Sequence, residues 1–217
     1  MTLQKPVDNK RSMIPNMNNK KSPLIPEQRE GKQVDLESRT ALSDDEAAKN
    51  FLRLVRNRLL DINHWGKIAS IPVATFVLTD AYGGEAIKSH PNEGNHVRID
   101  IPGPGTTAGD GYDWVVITDI SDVPDQFCSI TLQPAPNPLK QGDDTGHFFK
   151  SSASSTLVVE RKGHEVIASY HGRNEVINTH TESTLDNIRN AVVGVSAKLG
   201  LSYPQWQGLV DGLLAPT

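Results

Sequence analysis

The chain has 217 residues and a formal net charge of −4; 36% of its residues are hydrophobic and 22% are charged. These values are typical of a globular protein with one well-buried core. The single cysteine, Cys128, excludes an intramolecular disulfide, and no stretch approaches the roughly 18 apolar residues that span a bilayer. The sequence shows no apolar leader, so we expect a cytoplasmic protein without a membrane span.

Residues 1–40 form a predicted extended arm that is rich in Pro, Asn and Lys. They hold eight basic and five acidic residues, a net charge of +3, which leaves −7 for the rest of the chain. Apolar residues occur singly here, so the arm alone cannot bury enough surface to offset its ordering entropy. We therefore predict one domain over residues 41–217. The anchors that would hold the arm on another surface are Met13, Ile14, Met17, Leu24 and Ile25.

The domain opens with a predicted helix over residues 44–61. Ser43 and Glu46 have the spacing of a capping box, in which each side chain bonds the other residue's backbone N–H. Apolar side chains then recur every three or four residues, which gives the helix one buried face. These side chains are Ala48, Phe51, Leu52, Val55, Leu59 and Ile62.

Between residues 68 and 172 the hydrophobic period changes to two and turn residues multiply, which is typical of short strands. One tight turn, Lys162-Gly163-His164, joins two clear strands. The predicted strands cover residues 73–79, 96–101, 114–120, 127–133, 156–161 and 166–171.

The C-terminal part returns to a helical period. Ser183 is the predicted cap of one helix, and Ser202 with Gln205 forms a capping box for a second. The second helix presents one apolar face and a glycine, Gly212, whose missing side chain permits close backbone packing.

The order of elements predicts an α+β domain, with a meandering antiparallel sheet of about six strands, one helix before it and two helices after it, all on one face. This layout resembles helix-grip domains, in which a curved sheet wraps a C-terminal helix. The helix pair that usually follows the first strand of that fold is absent here, so an interior cavity does not follow from the resemblance.

The loop over residues 101–114 combines four glycines and two prolines with acidic and aromatic residues. Tyr112 and Trp114 are of the kind enriched in binding surfaces, and Asp110 and Asp113 could accept hydrogen bonds from a ligand or a basic partner. The alternative is a rigid connector in which the acids bond the loop's own amides and Trp114 enters the core.

The last predicted strand ends in His171-Gly-Arg-Asn-Glu175, which places His171, Arg173 and Glu175 within five residues. Such a group could transfer a proton or hold an anion. The alternative is an internal ion pair between Arg173 and Glu175 beside a solvated His171.

Together with Asp186-Asn-Ile-Arg-Asn190 and Trp206-Gln-Gly-Leu-Val210, these two stretches resemble a small bacterial family of uncharacterised proteins. The resemblance covers about residues 60–214. It implies no particular activity or substrate.

The spacing of the seven histidines predicts no metal site, and no nucleotide-binding or nucleophile motif predicts a cofactor or a catalytic residue. Cys128 lies in an apolar run, which indicates a buried thiol rather than a nucleophile. Nucleic-acid binding is not favoured, because the body of the chain is acidic.

Two functions remain open from the sequence, and an enzyme is the less favoured class. The first is a non-enzymatic interaction or structural module whose arm docks into a protein partner or another copy. The second is a small-molecule binder or hydrolase with a pocket between the sheet and the C-terminal helices, where the two candidate groups would converge.

Overall fold

A seven-stranded antiparallel sheet is the framework of the protein. The computed structural model describes residues 24–70, 74–86, 90–101, 108–142, 144–178 and 203–216. The strands are β1 (Lys32–Ala41), β2 (Thr75–Thr79), β3 (His96–Asp100), β4 (Asp113–Val123), β5 (Phe127–Pro134), β6 (Ser154–Lys162) and β7 (Glu165–Glu175). Their spatial order is β1-β7-β6-β5-β4-β3-β2, so β2 to β7 form a continuous meander.

The six predicted strands are confirmed as β2 to β7, and the α+β class is confirmed with them. Alternating residues of each strand face the helices, which is the physical source of the period of two. The predicted turn between β6 and β7 is also present, with Gly163 at a positive φ of 61° that suits glycine.

The predicted boundary at residue 40 is wrong, because β1 lies inside the proposed arm. This strand pairs antiparallel with β7, from Lys32 opposite Glu175 to Ala41 opposite Glu165. Val34 and Leu36 pack against the core, while charged residues alternate with them. Charged side chains on an edge strand discourage pairing with other chains. The domain therefore includes at least the residues from 32 onward.

The predicted first helix is confirmed as α1 (Asp45–Leu60). Its cap is Asp44 rather than Ser43, because the Asp44 carboxylate accepts a 2.8 Å hydrogen bond from the backbone N–H of Ala47. A 3₁₀ turn (Ile62–His64) and a short helix, α2 (Trp65–Ile68), follow it.

A further helix, α3, covers residues 203–213 and corresponds to the second predicted C-terminal helix. The predicted helix after Ser183 and the cap at Ser202 lie outside the described residues. A Cβ atom added at Gly212 would lie 1.8 Å from the backbone oxygen of Ile68, so α3 packs against the end of α2.

The hydrophobic core lies between one face of the sheet and the helices. It includes the buried face of α1, formed by Ala48, Leu52, Val55 and Leu59, and the apolar face of α3. Three rings fill its centre: Trp65 lies 5.5 Å from Phe76 and 6.4 Å from Trp206, measured between centroids. None of the helices in the described ranges has the length and apolarity to cross a membrane.

Candidate functional site

A small cavity lies between the sheet and α3. Its volume is about 30 Å³, enough for about two water molecules. It is lined by Ala74, Phe76, Ile99, Ile101, Val115, Leu132, His147, Phe148, Phe149, Ser155, Tyr170, Gln205 and Trp206. Strands from both halves of the sheet and the first turn of α3 therefore meet around one interior space.

Four of the lining side chains are polar, and hydrogen bonds fix their positions. The Tyr170 hydroxyl lies 3.0 Å from Ser155 Oγ. The backbone N–H of Phe149 donates to His147 Nδ1 at 2.9 Å, and that of Ala74 donates to Gln205 Oε1 at 2.8 Å. The cavity is thus mostly apolar with a few oriented polar groups, which is the usual composition of a ligand pocket.

A buried carboxyl group, Glu175, lies directly behind Tyr170. Its side chain accepts a 2.7 Å hydrogen bond from the Tyr203 hydroxyl and a longer one, 3.4 Å, from the Tyr170 hydroxyl. The residue is 6% exposed. Burial raises the pKa of Glu175, and the hydrogen bonds from the two tyrosines offset part of that increase.

A β-bulge explains why Glu175 faces the interior. Tyr170 and Gly172 face the core, so regular alternation would place residue 175 on the opposite face with Arg173. The register shifts between β1 and β7 at this point, and Asn174 has a left-handed backbone with φ of 55°. The extra residue turns Glu175 inward. Gly172 leaves the space, because a Cβ there would lie 2.2 Å from Glu175 Oε1.

His171 and Arg173 lie on the outer face of the sheet, where both contact Asp35 of β1. The carboxylate oxygen of Asp35 is 2.6 Å from His171 Nδ1 and 2.7 Å from an Arg173 nitrogen. The expected ion pair between Arg173 and Glu175 is therefore wrong, because the bulge separates the two side chains. Burial alone would raise the pKa of Asp35, but hydrogen bonds from Gln33, His171 and Arg173 outweigh it and lower the pKa to about 2.

The outer face also carries a Ser-His-Asp chain of hydrogen bonds. Ser169 Oγ lies 3.0 Å from His171 Nε2, and His171 Nδ1 contacts Asp35. A serine hydrolase needs, in addition, N–H groups free to bind the oxyanion. Ser169 lies inside β7, between β1 and β6, where the ladders engage the backbone N–H groups. In this part of the described sheet, the Ser-His-Asp chain therefore has no oxyanion-binding N–H groups with which to stabilise an acyl-transfer transition state.

The candidate residues of the loop before β4, Asp110 and Tyr112, have other partners than the group around Glu175. Asp110 accepts a hydrogen bond from Asn137 and forms an ion pair with Lys140. The Tyr112 ring lies 4.9 Å from the Arg98 guanidinium. These contacts are distinct from those around Glu175, so they do not link the two candidate groups.

Two further residues of this stretch, Asp113 and Trp114, are buried at the start of β4. The indole N–H of Trp114 donates a 3.2 Å hydrogen bond to the Gly109 carbonyl. The structure places Trp114 in the interior, as the connector alternative expected. Residues 102–107 of the loop lie outside the described ranges.

Of the five predicted arm anchors, Met13, Ile14 and Met17 lie outside the described residues. Leu24 and Ile25 are half-buried. The segment after them is held by one residue of β7: Asn174 Oδ1 accepts from the backbone N–H groups of Arg29 and Glu30, at 2.7 and 3.1 Å, and Asn174 Nδ2 donates to the Glu27 carbonyl at 3.0 Å. Residues 27–30 are therefore attached to their own domain.

Sequence reasoning named Glu175 but missed its partners Tyr170 and Tyr203, and it also missed the polar lining residues Ser155, His147 and Gln205. They come from four separate parts of the chain, and only the strand order brings them together. One signal was present in the sequence, since Tyr170 falls on the core-facing positions of a strand whose alternation is regular.

The described residues form neither a metal-binding cluster nor an activated thiol. No group of three or more His, Cys, Asp or Glu side chains there is arranged to hold a metal ion. Burial raises the pKa of the Cys128 thiol to about 12, so this thiol is not a reactive nucleophile.

Comparison with known proteins identifies similar folds. No family model and no curated protein matches the chain. A hypothetical protein from Helicobacter pylori is 12% identical, with a TM-score of 0.48 and 97% of this chain and 98% of that chain covered. A major latex-like protein from Panax ginseng is 18% identical, with a TM-score of 0.38 and coverages of 79% and 98%.

A third similar structure is the di-domain ARO/CYC protein BexL from the BE-7585A biosynthetic pathway. It is 13% identical, with a TM-score of 0.39, and the match covers 85% of this chain and 51% of that chain. These similarities concern the α+β fold alone.

Proposed function

We propose that this protein binds a small, largely apolar molecule in the interior between the sheet and α3. The observation that supports the proposal is the cavity whose lining combines aromatic side chains with four polar ones. A core that serves only stability is built mainly from apolar side chains. Polar groups that converge on an apolar space are instead typical of binding sites.

The size of the cavity sets a condition on this function. Typical ligand pockets have volumes from about 300 Å³ upward, so binding requires side chains to move. Phe148 and Phe149 are suited to that role, because they line the cavity from a segment outside the strands and helices. An isolated β-bridge between Phe149 and Ile177, rather than a continuous ladder, attaches this segment, and the two ring centroids lie 4.4 Å apart.

The hydrolase form of this function has less support than binding. His171 and Arg173 lie on the outer face, away from the cavity side of the sheet, and Ser169 lacks an oxyanion site as described above. We therefore propose binding without a covalent step.

Calorimetric titration with toluene tests the proposal. We expect the full chain to bind toluene, and Ala74→Leu to weaken binding at least roughly tenfold, because the larger side chain fills the cavity. The matched control is Ala153→Leu, which enlarges another buried alanine that does not line the cavity. Absence of binding to the unmodified protein, or equal weakening by the two variants, would contradict the proposal.

A second candidate function is self-association through the arm. Residues 1–23 hold five basic residues and one acidic residue, so the rest of the chain carries a net charge of −8 and could attract the arm of another copy. Two exposed apolar side chains also favour an interface: Tyr82 is 84% exposed and Leu139 is 61% exposed. They are close together, because Gly83 packs directly on the Leu139 side chain.

Light scattering tests this second candidate. The full chain should have the mass of an oligomer, and removal of residues 1–23 should reduce it to that of a monomer. High salt should have the same effect, since the attraction is between opposite charges. A monomeric full chain would exclude it.

A further inference from the structure

The charged side chains of the protein are absent from the described lining of the cavity. None of its lining residues is Lys, Arg, Asp or Glu. An anionic ligand such as a carboxylate would therefore find no lysine or arginine to replace its lost hydration. The lining His147 accepts a hydrogen bond at Nδ1 from the Phe149 N–H, which a protonated imidazole could not do. Burying an unpaired charge is costly.

The polar end of the cavity is formed by Tyr170 and Ser155. Both carry a hydroxyl, which can donate as well as accept a hydrogen bond, and the two lie 3.0 Å apart. Because the Tyr170 proton is donated to Glu175, Ser155 is the available donor, while both hydroxyl oxygens can accept. This end can therefore bind an uncharged hydroxyl or carbonyl group of a ligand.

An acid lies one hydrogen bond beyond this polar end. Glu175 Oε1 lies 3.4 Å from the Tyr170 hydroxyl, so a carboxylate ligand beside Tyr170 would be close to a second carboxylate. Two cations act on Glu175, but neither lines the cavity: Arg173 binds Asp35, and the Lys32 ammonium lies 4.1 Å from the centre of the Tyr203 ring. Like charges at such a distance repel strongly in a buried site.

We propose that Tyr170 and Ser155 select uncharged ring compounds that carry a hydroxyl or carbonyl group, and that Glu175 behind them excludes carboxylates. This inference rests on the proposed binding function and specifies the chemical class of its ligand. The selection depends on the fact that the ionisable group one hydrogen bond away from the cavity is an acid, Glu175, and not a base.

Three probes of similar size test the selection: toluene, phenol and benzoate, titrated into the full chain at about pH 8, where phenol is neutral and benzoate is an anion. We expect phenol to bind roughly tenfold more tightly than toluene, through the hydrogen bond to the polar end. Benzoate should bind at least roughly tenfold more weakly than phenol, because its charge is unpaired in the cavity.

Substitutions assign the effect to named groups. Tyr170→Phe or Ser155→Ala should remove the preference for phenol over toluene. Glu175→Gln should strengthen benzoate binding by roughly tenfold while phenol binding stays within about threefold. The matched control is Tyr203→Phe, which removes a partner of Glu175 that does not line the cavity and should keep the phenol preference.

The outcomes separate this inference from the proposed function. Equal binding of the three probes, or a preference for benzoate, would overturn the selection by Tyr170, Ser155 and Glu175 while leaving a binding cavity. Failure of all three probes to bind would overturn both. Circular dichroism of each variant shows whether the fold is retained, and the two alternative substitutions at the polar end keep the test decisive if one of them unfolds.

Discussion

Asn174 combines a backbone role with a side-chain role. Its left-handed conformation makes the bulge that turns Glu175 inward, and its amide holds the backbone of residues 27–30. Asparagine is among the few residues that adopt this conformation at low cost and also offer both a donor and an acceptor. One residue therefore fixes the start of β1 and the orientation of the buried acid.

Substitutions at Asn174 should separate these two roles. Asn174→Gly keeps the backbone conformation and loses three side-chain hydrogen bonds, so we expect a loss of about 1–3 kcal/mol in the free energy of unfolding. Asn174→Ala should lose about 1 kcal/mol more, because alanine resists a positive φ.

Urea denaturation measures both values for Asn174. Asp110→Gly is a suitable control, since Asp110 has a φ of 54° but its side chain bonds Asn137 and Lys140 rather than the backbone of residues 27–30. Equal stability of Asn174→Gly and the unmodified protein would contradict the assigned role.

At the scale of single residues, the sequence singled out Glu175 as a candidate residue but did not predict its surroundings. Proximity in sequence suggested Arg173 as its partner, because alternation on a strand places residues two apart on the same face. The bulge inverts that expectation, and Tyr203 is contributed by a helix 28 residues further along. Predicting a bulge requires the pairing register of the two strands, and the local sequence does not provide that register.

At the scale of elements, α3 connects several parts of the molecule. Tyr203 in its first turn bonds Glu175, and the Trp206 ring stacks on that of Tyr170 at 4.8 Å. Near its end, Gly212 packs on the backbone of Ile68. Helix α3 thereby closes the cavity and joins the sheet to α2.

Gly212→Ala should disturb this closure. The added Cβ would meet the Ile68 oxygen at 1.8 Å, so α3 must shift although alanine favours helices in isolation. We expect a loss of at least about 2 kcal/mol in unfolding free energy, within the range of overpacked cores. Thermal unfolding followed by circular dichroism measures it, and an unchanged or higher midpoint would show that α3 can relax without cost.

The strands and helices were largely predictable from the sequence, and the exceptions have physical reasons. Strands β2 to β7 alternate clearly because one face is buried against helices. Strand β1 was missed because Val34 and Leu36 are its only large apolar residues, and an edge strand contributes less to the core than a central one. The four-residue helix α2 is too short to show a helical period.

At the scale of the whole molecule, β1 and β2 are the two edge strands of the sheet. Strand β1 pairs with β7, the strand that carries Glu175. The chain before β1 is held by Asn174, and the side chain of Ser38 in β1 bonds Asp211 of α3. These contacts place β1 within the cooperative unit of the domain. They also imply that residues can be removed from the N-terminus without loss of stability as far as the contacts with Asn174, but not beyond that point.

Two truncated chains locate that point. A chain that starts at residue 24 should unfold at the same temperature as the full chain, since β1 and its contacts with Asn174 are retained. A chain that starts at residue 42 lacks β1, so it exposes the edge of β7 and loses the packing of Val34 and Leu36. We expect it to unfold at a clearly lower temperature or to aggregate, as measured by circular dichroism and light scattering. Equal unfolding temperatures for the two chains would mean that β1 is not part of the cooperative unit of the domain. The cavity beside Glu175 would then be stable without β1, the edge strand next to β7.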